Sequence, residues 1–144
     1  MTIYEELKTY WQQNNLPDDG GVTDSFNVAK VGIFSFKYPN LDGNALLLHD
    51  LNHLITGYKT NWQGECEVSA WELASGGRKG YSRTWIYPIS LVLLGMIICP
   101  IKTIKAYREG KVRTNSFILS LQNRNLLELT KSEVLNLSNK KFKI

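Results

Sequence analysis

The chain has 144 residues, 43% of them hydrophobic and 21% charged, with a formal net charge of +4. That composition excludes a disordered chain and one wholly embedded in lipid, and the length suffices for a single domain, residues 1–144, around a buried core. The charge is unevenly spread: residues 1–75 carry four Lys/Arg against ten Asp/Glu, and residues 76–144 carry thirteen against three. A basic half of this kind suits an anionic membrane surface or a phosphorylated ligand, or is neutralised by the acidic half in the fold. Nucleic-acid binding has no motif behind it.

From the N-terminus, residues 2–14 read as a helix, with Thr2 as cap, Glu5 three residues on, and an apolar stripe of Ile3, Leu7, Tyr10 and Trp11. The polar, amphipathic start predicts no signal peptide. Residues 16–21, LPDDGG, form a turn. Residues 24–37 are expected to form a helix capped by Asp24, although Val28, Val31, Ile33 and Gly32 favour a strand locally. The Tyr38-Pro39-Asn40 break then leads into a helix that starts near Leu41 or Asp42 and stops at Gly57.

That helix carries both histidines of the chain, His49 and His53, with Asp50 beside the first. Four residues make about one helical turn, so the two imidazoles leave the same face and can converge on one point. A turn at residues 59–61 precedes a second helix, from about Trp62 to Ser75, whose first turn carries Glu65. A helical hairpin built this way brings Glu65 opposite the histidine pair. Nitrogen and oxygen donors of that kind suit zinc or another first-row divalent ion. His49, His53 and Glu65 supply three ligands, with Asp50 either a fourth or a partner behind them. The alternative is a hydrogen-bonded helix pair without metal. Cys66 offers a thiolate in place of Glu65, but nothing else in the chain supports a thiolate site. Glu67 and Glu72 are assigned to solvated or capping faces.

The loop 76–83, GGRKGYSR, reads as a flexible, solvated connector lacking P-loop spacing. Its functional reading puts Arg78, Lys79 and Arg83 on a phosphate or lipid head group. Residues 85–101 form seventeen consecutive uncharged positions, roughly 26 Å if helical and slightly short of a bilayer core. Pro88, Gly95 and Pro100 interrupt the run, so a central core helix or the wall of a lipid pocket is expected in preference to a membrane span. Residues 101–109 continue as an amphipathic helix, and Thr130 with Glu133 opens a short last helix before a basic tail. The two cysteines, Cys66 and Cys99, are too few for a disulfide framework and point to a reducing, cytoplasmic compartment.

The pattern His49-Asp50-x-x-His53, eleven residues, then Glu65 resembles the signature of the ubiquinone-biosynthesis Coq-four family. Gly57, the Gly64-Glu65 pair, AYREGKVRTNSF (residues 106–117) and LLELTKSEV (residues 126–134) extend the resemblance from about residue 40 onward. Asn52 departs from it, standing where the family often has an aromatic residue. The resemblance implies an all-α fold, with a divalent metal, usually taken as zinc, on His49, Asp50, His53 and Glu65, and an apolar cavity for an isoprenoid or polyprenyl-quinone precursor. It further implies coenzyme Q synthesis, peripheral association with the inner face of a membrane, and a homodimer. Two roles follow for such a protein. One is oxidative decarboxylation, replacing the ring carboxylate of a polyprenylated hydroxybenzoate by a hydroxyl with Asp50 or Glu65 moving protons. The other is a non-catalytic lipid-binding scaffold for the biosynthetic enzymes. A His-Asp phosphohydrolase would need further histidine motifs that the chain lacks.

Overall fold

A computed structural model of the chain describes residues 1–31 and 33–141. Helix α1 (Ile3–Gln13) opens on a capping box: the Thr2 hydroxyl accepts from the Glu5 amide while the Glu5 carboxylate accepts from the Thr2 amide. A two-stranded antiparallel hairpin follows, β1 (Phe26–Val31) and β2 (Phe34–Pro39). Then come α2 (Gly43–Thr56), α3 (Trp62–Ala74), a 3-10 turn at Ser82–Trp85, α4 (Ile86–Ile98), α5 (Pro100–Gly110), α6 (Ser116–Gln122), a second 3-10 turn at Leu126–Glu128, and α7 (Lys131–Ser138). The fold is mostly helical, as expected.

Residues 24–37 depart from that expectation. Residues 26–31 and 34–37 belong to the hairpin, with Phe26 opposite Pro39 and Val31 opposite Phe34; Gly32 lies outside the described residues. The reason is local. The second half of the run, FSFKYP, alternates apolar and polar residues, and the whole stretch is rich in β-branched and aromatic side chains, so the period of two outweighs a helical pattern.

The largest core cluster gathers Ile3, Leu7 and Trp11 of α1, Ala45, Leu48, Leu51 and Ile55 of α2, Phe117 and Leu119 of α6, Leu126 and Val134. It pins α1, α2, α6 and α7 together. Helix α3 packs instead against α4 and α5, with Ala70, Trp71 and Ala106 at the centre of a second cluster. Helices α2 and α3 therefore sit where the two layers meet, and the histidine face of α2 looks toward α3.

The uncharged segment 85–101 is not a core helix. Within α4 only Pro88 and Gly95 are buried. Ile86 (64%), Leu93 (63%) and Ile97 (80%) lie largely in solvent, as does Ile101 (82%) on α5. Pro100 falls at the first turn of α5 and splits the run into two shorter helices. Among the described residues no helix is long and apolar enough to cross a membrane.

Candidate metal centre

Two caps fix the register of the elements that carry the site. The Asp42 carboxylate accepts from the amides of Asn44 and Ala45 at the start of α2, and Gly57 closes that helix in the left-handed region, at φ 76°. Asn61 caps α3 through the Gly64 amide. Gly64 is required here by space, because a Cβ on it would fall 1.9 Å from the Lys59 carbonyl oxygen. The turn consequently runs close beneath the first turn of α3 and sets Glu65 against α2.

The structure brings together three of the four expected ligands. One ligand atom each from His49, His53 and Glu65 lies within 4.8 Å of the others. His49 Nε2 is 3.1 Å from Glu65 Oε2, and His53 Nε2 is 3.3 Å from Glu65 Oε1. The two imidazoles meet edge to face, with ring centroids 4.8 Å apart. Both histidines are buried, at 9% and 2% exposure, whereas the Glu65 side chain keeps 27%.

The opposite edges of the two rings are engaged by the protein. His53 Nδ1 lies 2.9 Å from the Tyr58 carbonyl oxygen. A carbonyl only accepts, so Nδ1 carries a proton here and Nε2 is the ring nitrogen turned toward Glu65. His49 Nδ1 lies 2.7 Å from Glu72 Oε1 and 3.1 Å from Arg78 Nη2. The shorter contact to a carboxylate requires a proton between the two atoms, so His49 donates to Glu72. His53 Nε2 is enclosed and makes no hydrogen bond in spite of its proximity to Glu65. Two imidazoles anchored through Nδ1, with Nε2 atoms facing a shared carboxylate, form the ligand arrangement found around bound metals. These three residues fit a divalent ion.

Asp50, the fourth expected ligand, has a different setting. Its Oδ2 accepts from Trp11 Nε1 at 2.8 Å, and it stands outside the group of three converging ligand atoms. Burial pushes its carboxyl up to about 6, against the pull of the two histidines. For Glu65 burial acts in the same upward direction, but His53 and His49 overcome it and hold the carboxylate below its usual range. Burial alone would lower the pKa of His49. The charge of Glu72, with hydrogen bonds to Glu65 and Glu72, raises it instead to about 10.

Glu72 and Arg78 correct the sequence-based assignments. Glu72 is not on a solvated face; it is fully buried. It receives His49, Asn52 Nδ2 at 2.9 Å and Arg78 Nε at 2.9 Å. Arg78 is not a solvated loop cation, being 4% exposed and paired with Glu72. Its guanidinium also lies over the Phe117 ring, 5.3 Å from the centroid. Burial opposes ionisation of Glu72, yet Arg78 and His49 bring it down to about 2. One signal in the sequence points to this residue: Glu65 and Glu72 are seven apart, two helical turns, hence on one face of α3.

A cavity of about 440 Å³ opens beside His53, lined also by Tyr10, Leu54, Tyr58, Lys59 and Asn61 among others. Its walls mix polar and apolar groups. No family model, curated protein or solved structure matches the chain.

Proposed function

We propose that this chain is a divalent-metal protein, zinc being the expected ion, that acts on a polyprenylated aromatic acid in quinone biosynthesis. The observation that carries the metal half of the proposal is the convergence of His49 Nε2, His53 Nε2 and the Glu65 carboxylate, with both Nδ1 atoms already committed elsewhere. The substrate half rests on the resemblance of the His-Asp-x-x-His, Glu spacing to the Coq-four signature. The bound ion would supply Lewis-acid charge to the ring carboxylate. The rest falls to the chain. Glu65 stays ionised under the influence of the histidines and completes the ligand set. Asp50, with its carboxyl raised to about 6 and held by Trp11, is suited to taking or returning a proton near neutral pH. Exchange of carboxylate for hydroxyl releases carbon dioxide and is a two-electron oxidation: water supplies the hydroxyl oxygen, and dioxygen is the external oxidant that takes up the two electrons and two protons as hydrogen peroxide. The test is to incubate the metal-loaded protein with a prenylated 4-hydroxybenzoate in lipid vesicles under air, and to measure hydroxylated product by mass spectrometry. Product that disappears with His53→Ala supports the proposal.

A second reading, a non-catalytic isoprenoid-binding scaffold at a membrane, is favoured by one observation. The exposed apolar residues of α4 and α5 are bordered by exposed Arg83, Lys102, Lys105 and Arg108. That reading predicts co-sedimentation with anionic vesicles, lost on Leu93→Asp with Ile97→Asp, and a cellular role that survives Glu65→Gln.

A further inference from the structure

Helix α1 sends two adjacent side chains to the metal centre. Trp11 reaches Asp50. Tyr10 lays its ring over His53, with centroids 6.3 Å apart and planes inclined by 24°. Unlike Trp11, it leaves its polar atom unused: the Tyr10 hydroxyl is enclosed and has no hydrogen-bond partner. Packing alone does not call for that oxygen, because a phenylalanine would fill the same space. A buried hydroxyl left without a partner is costly, and buried tyrosines usually find one.

The surroundings indicate what the missing partner is. The candidate partners belong to the centre itself, because the Tyr10 ring is stacked on His53 and His53 faces Glu65. The carboxylates of Asp50 and Glu65 already have donors, from Trp11 and His49 respectively. Among the described residues, His53 Nε2, on the ring that Tyr10 covers, is another enclosed atom without a hydrogen-bond partner. Both residues wall the cavity of about 440 Å³, whose rim carries Lys59 and also Lys131, the latter 3.6 Å from Glu6.

We infer that the Tyr10 hydroxyl is the hydrogen-bond donor that holds an oxygen-anion ligand at the metal centre, and that this ligand enters through the cavity between α1, the end of α2 and the turn at residues 58–61. The inference rests on the metal reading given above and adds a residue and a route to it. The ligand class follows from the groups present: a donor at the inner end and the exposed ammonium of Lys59 at the rim accept a carboxylate or phenolate better than a neutral molecule.

The test uses the full chain loaded with Co(II), whose visible absorption reports changes at the metal, titrated with benzoate. Benzoate should perturb the spectrum of the parent protein. Tyr10→Phe should bind Co(II) with unchanged affinity and benzoate about tenfold or more weakly. Thr60 also lines the cavity, and Thr60→Trp, which narrows it without removing the hydroxyl, should weaken benzoate and again spare Co(II). Equal benzoate binding by parent and Tyr10→Phe, with Co(II) bound by both, overturns the assignment of Tyr10 alone. Failure of the parent to take up Co(II) overturns the metal reading and this inference with it.

Discussion

His49 Nδ1 lies 2.7 Å from Glu72 Oε1, and Glu72 is itself held by the buried guanidinium of Arg78. The histidine whose Nε2 faces Glu65 is thereby oriented by an ion pair on the opposite edge of its ring. Glu72→Gln weakens the hydrogen bond that orients His49, and the loss expected is about 10–100-fold in metal affinity. A competition titration against a chromophoric chelator measures it.

The same pair makes a second prediction, about stability. Removing one partner leaves a buried charge alone, so Glu72→Leu should destabilise the metal-free chain by about 3–5 kcal/mol. Replacing both, as Glu72→Leu with Arg78→Met, should recover much of that loss. Denaturant melts of the two variants compare them directly.

Metal uptake should be coupled to pH through His49. In the metal-free chain this group is raised above its unfolded value to about 10, so it is protonated at neutral pH. Its contribution to stability is then complete below about pH 6.5 and is lost as pH rises through about 10. Binding a cation at Nε2 must displace that proton. Calorimetry in buffers of different ionisation enthalpy should report about one proton released per ion at pH 7, with apparent affinity rising about tenfold per pH unit. Glu72 acts at the other end of the scale. Depressed to about 2, its contribution is present above about pH 4.5 and fades as pH falls through 2.

Asp50→Asn should keep the ion. Its carboxylate stands outside the converging group and accepts from Trp11, and an asparagine oxygen can accept the same hydrogen bond. Metal content close to that of the parent, beside near-complete loss in Glu65→Ala, is the result expected from elemental analysis of the two variants.

Gly64→Ala tests how tightly the turn is built into the site. The added methyl would meet the Lys59 carbonyl oxygen at 1.9 Å, a backbone atom that cannot swing away. Overpacking of this kind costs about 1–3 kcal/mol, and the displaced first turn of α3 carries Glu65 with it. A lowered melting temperature together with weaker metal binding should result; a change in neither would show that the turn is not tied to Glu65.

Much of this centre is legible in the sequence because its determinants are local. The His49–His53 spacing, the Gly57 stop and the Asn61 to Glu65 helix start each depend on a few neighbouring residues, and each stands where the pattern puts it. What escapes is what depends on tertiary neighbours. Glu72 is ordinarily a surface residue type, and only the arrival of Arg78 from the following loop and of Asn52 from α2 makes its burial possible. Residues 24–37 contain both helical and strand patterns, and pairing between the two halves decides between them. The apolar run at 85–101 has a composition that suggests burial. Yet α3 and α5 cover only one side of it, and the rest, Leu93 and Ile97 included, faces outward.

Whether His49, His53 and Glu65 hold a divalent ion is decided by native mass spectrometry of the purified full chain. One divalent ion per chain is expected in the parent protein and none in a folded His53→Ala variant. A metal-free parent that stays so after incubation with zinc, or a His53→Ala variant that binds as the parent does, would contradict it.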